Sequence, residues 1–320
     1  MAGKSTSKWY QKFCSEHEAD LPLFFHSWYL DAVCGQDSWD AVAYSKDHKN
    51  LAIWPYYKKT KYGLTYITMP PLTPYLGPWI INPNVQKSHK KYGYEHEAIG
   101  ALCEKLPPVH FRTIHTHPSA SNLLAARWKG YKEKSRYTYR IDLGDQEEIW
   151  NGISDKQRNT IRKAQEALSI SATDDIDLFY EFNKKSFDRQ DLDIPYNLAL
   201  IKRLDTALAL RSQRSILEAK DKSNNVHGMI YLAYDQHTVY LLAIGSDPQW
   251  RSEGSIPLLI WHAIQQFNGS HKTFDFEGSM IPNIEKFFRS FGGKMTSYSK
   301  LFATKHRGID LLLTLTGRYG

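Results

Sequence analysis

The stretch from Thr238 to Gly293 leaves a folding chain little choice. Thr238–Gly245 reads as a strand, Ser255–Phe267 as a helix, Thr273–Phe276 as another strand, and the residues from Pro282 as another helix. Ile256, Leu259, Ile260, Ala263, Ile264 and Phe267 fall on one stripe, so the first helix must lie against a sheet. A helix that connects two neighbouring strands is a crossover, and a crossover makes those strands parallel. Phe274 and Phe276 alternate with Asp275 and Glu277, which predicts both carboxylates on one strand face. Gly278 and Ser279 break the strand, and Pro282 suits a first helical turn that lacks N–H partners anyway. Ile284, Phe287, Phe288 and Phe291 recur at helical spacing until Gly292-Gly293 stops the helix. Acids at the C-terminal end of a strand, facing a helix start, are a common way to build a site in a mixed α/β domain.

The rest of the chain repeats that order of elements. Both halves read helix, helix, three strands, helix, strand, helix, strand, without matching in sequence. In the first half the helices are near Lys8–Cys14 and Ser27–Cys34, and the strands are Asp40–Ser45, Leu51–Tyr57 and Tyr62–Thr68. Helix Glu95–Leu106, strand Val109–His115, helix Ser121–Trp128 and strand Tyr137–Asp142 follow. In the second half the helices are Ser154–Leu168, Ile176–Ser186 and Tyr196–Leu210, and the strands are Ser215–Lys220 and His227–Tyr234 before Thr238, and Met295–Thr304 at the end. A chain of 320 residues is long for one core. The repeat therefore predicts two α/β domains with mixed sheets, 1–143 and 144–320, and a boundary near Gly144. The Pro-rich run Pro70–Pro78 cannot be regular structure, since it lacks donors. The apolar tail Ile309–Thr316 has no assigned place.

Composition narrows the function classes. No apolar run approaches the roughly 20 residues that cross a bilayer, and the N-terminus lacks the apolar stretch of a secretory signal. Cys14, Cys34 and Cys103 are odd in number and far apart, as free thiols in a reducing compartment are. A cytoplasmic protein is expected. The net charge of +7 favours an anionic partner, although a solvated basic surface accounts for it equally simply. His115 and His117 have no third ligand in view, so no metal is expected. There is no Ser-His-Asp or Cys-His pattern and no phosphate-cradling P-loop, which argues against a covalent enzyme intermediate.

The segment Trp150-Asn-Gly-Ile-Ser-Asp-Lys-Gln-Arg-Asn-Thr-Ile-Arg-Lys-Ala164 resembles the Fem family of transferases. So do the Trp250–Ile264 helix and Asp275-Phe-Glu-Gly-Ser279 with its Phe288-Arg289 and Phe291-Gly-Gly293. These FemABX-like proteins carry two GNAT (acyl-CoA N-acyltransferase) domains in tandem. The resemblance implies a degenerate first domain and a catalytic second one. It also implies transfer of an acyl or aminoacyl group from acyl-CoA or aminoacyl-tRNA to an amine acceptor, nucleotide- or lipid-linked, in cell-wall or surface-glycan precursor synthesis. In that fold the fourth and fifth strands splay and hold the donor, which would place it at Ala243, Ile244 and Gly245. The donor phosphates would lie at the helix start, where Arg251 and Gly254 fit the pattern, Ser255 follows, and Ile256 replaces a small residue. Phe288 and Arg289 would face the donor.

The same residues carry chemistry of their own. Glu277 and Asp275 are the acid/base candidates, because an attacking amine must lose a proton, and a backbone N–H near Ala243–Gly245 is the simplest oxyanion donor. Arg158 and Arg162, four apart on one helix, project together and could contact phosphates. Tyr75 and Arg189 are further substrate-side candidates, expected to line a groove between the two halves. Two alternatives stay open: an acyl-CoA-dependent N-acetyltransferase of an amino sugar or small amine, and a non-catalytic RNA- or nucleotide-binding module.

Overall fold

The computed structural model describes residues 3–81, 87–120 and 122–304, and the apolar tail Ile309–Thr316 lies outside them. The chain forms two compact units. One contains the residues up to Arg136 and again those from Ser297; the other is Tyr137–Thr296. Against an expected boundary near Gly144, the change of unit falls inside a long strand, and the last strand returns to the first unit.

In the first unit, α1 (Gly3–Glu16) and α2 (Ser27–Cys34) precede β1 (Trp39–Lys46), β2 (Lys49–Lys61), β3 (Leu64–Thr68) and the two-residue β4 (Trp79–Ile80). Helix α3 (Ser88–Lys105), strand β5 (Phe111–His115), helix α4 (Leu124–Trp128) and strand β6 (Lys132–Asp142) complete the run. The strand order is β1-β2-β3-β5, with β4 on β2. β3 and β5 are parallel, as the crossover through α3 requires. The core gathers Trp54, Ile67, Ile99, Leu102, Ile114 and Leu301.

The second unit continues with α5 (Gln146–Gly152), α6 (Asp155–Ala167), β7 (Ser169–Thr173), α7 (Ile176–Asp188) and α8 (Leu198–Ala209). Then come β8 (Arg214–Lys220), β9 (Val226–Tyr234), β10 (Thr238–Ser246), α9 (Ser255–Phe267), β11 (Thr273–Asp275), α10 (Pro282–Arg289) and β12 (Lys294–Thr304), which re-enters the first unit. Strand order is β6-β11-β10-β9-β8-β7. The helix starts are written in the sequence. Ser154 caps α6 by accepting from Gln157 N, Asp175 caps α7 from Leu178 N, and Asn197 caps α8 from Leu200 N. Helix α9 is buried on more than its stripe, since Leu258 and Trp261 are covered too. Burial of each large aliphatic side chain there contributes roughly 1.5–3 kcal/mol. Strand β7 is unanticipated. Ser169-Ile-Ser-Ala-Thr173 has one large apolar residue and becomes a strand by pairing antiparallel with β8 at the sheet edge.

Candidate functional site

The parallel strands β10 and β11 pair only at Thr238↔Thr273, Val239↔Phe274 and Tyr240↔Asp275. Beyond that point β10 stays with β9, and a bulge puts Leu241 and Ala243 opposite the consecutive residues Leu232 and Tyr231. β11 stays with β6, to which Phe276 N donates at the Tyr139 carbonyl, 3.0 Å. The two strands thus diverge from Leu241 onward. Glu277 sits at φ +57° and Gly278 at φ +71°. The first is strained for a residue with a Cβ. The second position requires glycine, because a Cβ there would collide with the Tyr137 carbonyl oxygen. The strand alternation therefore ends before Glu277, and the two carboxylates are not equivalent members of one face.

Asp275 is fully buried and saturated with donors. Its Oδ1 accepts from Thr138 Oγ1 at 2.6 Å and from Glu277 N at 2.8 Å, and its Oδ2 accepts from Arg140 Nε at 2.7 Å. Such a carboxylate anchors the turn. Glu277 is the opposite case. Part of its surface meets solvent, yet Oε1 is buried without a hydrogen-bond partner. Burial, and then the negative charge of Asp275, push its carboxyl well above the usual range. A carboxyl with a buried oxygen that nothing bonds, on a strained backbone, can take or give a proton more readily than one held as an anchor. Its charge is felt by Tyr196, whose hydroxyl is pushed up chiefly by burial. That hydroxyl donates to Asn183 Oδ1 at 2.6 Å.

The structure distributes the donor-side candidates unevenly. Ala243 and Ile244 are half-buried on the diverging part of β10, and Gly245 is buried under α7. Gly254, at φ +75°, is where a Cβ would meet Thr160 Cγ2 at 2.7 Å on α6. The side chain of Ile256 lies against Gly228 of β9. The glycine and its neighbours are thus used to pack α9 against α6 and the sheet. Ser255 is buried at the start of α9, and Arg251 falls in the 3-10 turn Pro248–Glu253. Phe288 is a core residue, 5.3 Å ring to ring from Phe276, so it offers no free face for stacking. Arg289 is exposed and donates to Glu285 Oε1 at 2.9 Å, an oxygen that also accepts from the Tyr139 hydroxyl.

On the substrate side, Tyr75 is a correction. It is fully buried in the first unit, its ring 5.1 Å from Tyr298 and 5.6 Å from His117, so it lines no surface. A tyrosine in a Pro-rich loop looks exposed in sequence, but this loop folds inward. Arg158 pairs with Asp155 and Asn151, and Arg162 lies 5.4 Å over the Trp150 ring. Arg189 donates to Ser246 Oγ at 3.2 Å, at the far end of β10. Among the described residues no group of three or more His, Cys, Asp or Glu could hold a metal ion, and no helix is long and apolar enough to cross a membrane.

Thr138, Arg140, Asn183 and Tyr196 were not singled out by the sequence. Thr138 and Arg140 alternate on β6, and Asn183 interrupts the apolar face of α7 formed with Phe179 and Phe182. A polar residue within such a face was the available signal.

Residues 155–281 match the family model described as an acetyltransferase (GNAT) domain. No curated protein matches the chain. Among solved structures, FemX superposes with a TM-score of 0.67 at 13% identity, covering 92% of this chain and 95% of that one. A conserved Bacteroides thetaiotaomicron protein of unknown function gives 0.55 at 12% identity, over 95% and 97% of the two chains. L-PGS from Bacillus licheniformis gives 0.54 at 11%, over 98% and 95%. At these identities the likeness is one of fold. The chain is Fem-like in fold, and residues 155–281, within its second unit, are similar to a GNAT domain.

Proposed function

We propose that this chain is a Fem-like acyltransferase that moves an acyl or aminoacyl group from a carrier to an amine, with Glu277 as the proton acceptor. The first unit is read as a degenerate GNAT-like domain and the second as the catalytic one. The observation that carries the proposal is the divergence of β10 from β11 with the partnerless Glu277 Oε1 at its margin.

The carrier's acyl arm lies along the diverging part of β10, and the amine approaches from the side of Glu277. The amine nitrogen attacks the carbonyl carbon and forms the new C–N bond. The carbonyl π electrons move to oxygen and are stabilised there by a β10 backbone N–H. The nitrogen gives up its proton to the Glu277 carboxylate, directly or through one water. Collapse restores the carbonyl and breaks the bond to the carrier, whose oxygen or sulfur leaves with its electron pair and takes a proton. Asp275 does not share this work, because Arg140, Thr138 and the Glu277 amide already occupy it. It holds the turn and, by its charge, keeps Glu277 basic.

The carrier is acyl-CoA or the 3′ end of aminoacyl-tRNA, and the acceptor is a nucleotide- or lipid-linked amine of surface-glycan synthesis, made in the cytoplasm. The GNAT domain match supports coenzyme A. Against it, Ile256 stands where the phosphate-binding pattern has a small residue. Calorimetric titration with acetyl-CoA and with aminoacyl-tRNA decides between them. Binding of neither carrier, together with salt-sensitive binding of RNA that Glu277→Gln does not alter, would replace the transferase reading with a binding module.

A further inference from the structure

We propose that the α3–α4 face of the first unit lies on the surface of an anionic lipid bilayer, with Leu124 and Trp128 in the headgroup layer and the neighbouring lysine and arginine side chains on lipid phosphates. The inference goes beyond the transfer reading and does not depend on it.

Helix α4, Leu-Ala-Ala-Arg-Trp128, packs the opposite way to a helix that faces water. Ala125 and Ala126 are 3% and 0% exposed and join the first-unit core with Leu123, whereas Leu124 is 43% and Trp128 65% exposed. The small side chains go in, and the two large apolar ones go out. Leu124 and Trp128 are four apart, so they share one side of the helix. One exposed apolar residue needs no explanation, but a group of them does. The group continues on α3. The Trp128 ring meets the His96 ring edge-on at 5.0 Å, and Tyr92, 53% exposed, stands one turn before His96. His96 Nε2 donates to Asn122 Oδ1 at 3.0 Å, and Asn122 Nδ2 donates to Glu95 Oε2 at 2.8 Å, so the ring against Trp128 is held in place.

The charge beside this group is positive. Each acid of α3 is already engaged: Glu95 Oε1 lies 4.0 Å from Lys91 Nζ, Glu97 Oε1 accepts from the Tyr44 hydroxyl at 2.7 Å, and Glu104 pairs with Lys129. Lys87 and Lys90 at the start of α3, and Arg127 beside Trp128, are exposed cations. Apolar side chains flanked by cations complement an anionic headgroup layer. Tryptophan and tyrosine rings settle at headgroup depth, and each cation near such a surface adds attraction. A second copy of the chain suits the face less, because a twofold contact sets the same patch on both sides and brings its cations together. RNA would use the ring faces of Tyr92 and Trp128 but has no use for Leu124. Among the described residues no helix is long and apolar enough to cross a membrane, so the contact is one of lying on the surface.

Flotation of the full-length protein with lipid vesicles tests the face without any substrate. The vesicles are phosphatidylcholine alone and an equal mixture of phosphatidylcholine and phosphatidylglycerol. Expected is binding to the mixed vesicles that exceeds binding to phosphatidylcholine and weakens as salt rises. Replacing Leu124→Ser and Trp128→Ser together should lower partition into the mixed vesicles by about 10-fold or more, the scale of removing large apolar side chains from an apolar setting. Replacing Lys90→Gln and Arg127→Gln together should lower it roughly 5-fold for each charge and leave binding to phosphatidylcholine unchanged. All four side chains are exposed, so urea midpoints should stay near the wild type, and the charge pair tests the face even if the apolar pair unfolds. Glu277→Gln should bind vesicles as the wild type does, so this inference and the transfer reading can fail separately. Absence of binding to the mixed vesicles, or binding that neither pair of substitutions weakens, overturns the proposal. A dimer in sedimentation, or a complex with an RNA hairpin, that the Leu124→Ser, Trp128→Ser protein loses while no vesicle binding is seen gives the face to that partner and also overturns it.

Discussion

Two parallel strand pairs in this chain diverge after a few residues, and the edges they vacate are covered differently. In the first unit, β3 and β5 pair at Tyr66↔Phe111 and Ile67↔Arg112. The chain itself then returns along the vacated edge. His115 N donates to Met69 Sδ at 3.1 Å, and the His115 carbonyl accepts from Leu76 N at 2.7 Å. Tyr75 is buried beside this segment, and His115 is held down to about 3 by burial and by the nearby charges of Arg136 and Lys300. In the second unit, the corresponding edge of β10 receives side chains of α7, and Glu277 keeps a buried oxygen without a partner. Divergence of strands is therefore not what makes a site. In one opening the Pro-rich run bonds to the backbone of β5; the other retains an unmet carboxyl oxygen.

The largest expected effect separates the two openings by chemistry. Glu277→Gln should reduce transfer by about 10²–10⁴-fold, the range of general base catalysis. In the wild type kcat/KM should rise with pH through the elevated Glu277 pKa, because the ionised form is the base, and that ascending limb should vanish in the variant. Stability should move the other way. The folded state holds the Glu277 proton more tightly than the unfolded chain, so stability is fullest below the unfolded-state pKa and falls as pH rises through the folded one. Denaturation midpoints across pH should lose that decline in Glu277→Gln. If both profiles persist unchanged, Glu277 is not the titrating group.

Asp275→Asn is expected to act on the fold first. It leaves the Arg140 guanidinium without its carboxylate in a place where Asp275 is wholly buried, a change that costs about 3–5 kcal/mol. Urea titration should show the midpoint fall before any kinetic comparison is made. A stable Asp275→Asn protein with transfer lost would mean that the saturated carboxylate does chemistry after all, and the contrast with Glu277 would collapse.

How much of this was legible in the sequence depended on how local each cause is. Helix α9 was readable to its ends because Ile256 to Phe267 carry their burial in their spacing. The acid pair was readable as a pair. The division of labour within it was not, because Asp275 is claimed by Thr138 and Arg140, which lie 137 and 135 residues away in the chain. Asn183 left one trace, a polar residue in the apolar face of α7, but its partners Tyr196 and Ile244 could not be read from that spacing. Gly254 matched a phosphate pattern, yet its position answers to Thr160 on α6. Tyr75 was misplaced because prolines argue against regular structure and say nothing about burial.

Two glycine substitutions sharpen the comparison with smaller effects. Gly77, at φ +107°, lies where a Cβ would stand 2.9 Å from Ile114 Cγ2, and Gly245 lies under Phe182. Gly77→Ala should cost about 1–3 kcal/mol through strain and crowding and leave donor KM as it was. Gly245→Ala should cost a similar amount and also lower kcat by displacing α7. Equal kinetic effects of the two would mean that both openings take part in transfer.

The smallest effect concerns the basic face of α6 in the second unit. Arg162 lies over Trp150, whose ring is 4.7 Å from Trp261, whereas Arg158 is tied to the exposed Asp155. The first contact depends on a ring face and the second on a screened ion pair. Arg162→Ala should therefore cost about 0.5–1 kcal/mol, the exposed cation–π range, and most of that loss should survive at about 1 M salt. Arg158→Ala should cost less, and its share should disappear as salt shortens the Debye length to about 3 Å. If instead both losses vanish with salt, the Trp150 contact contributes nothing, and the two arginines form a plain electrostatic surface. Their value would then lie in holding an anionic ligand.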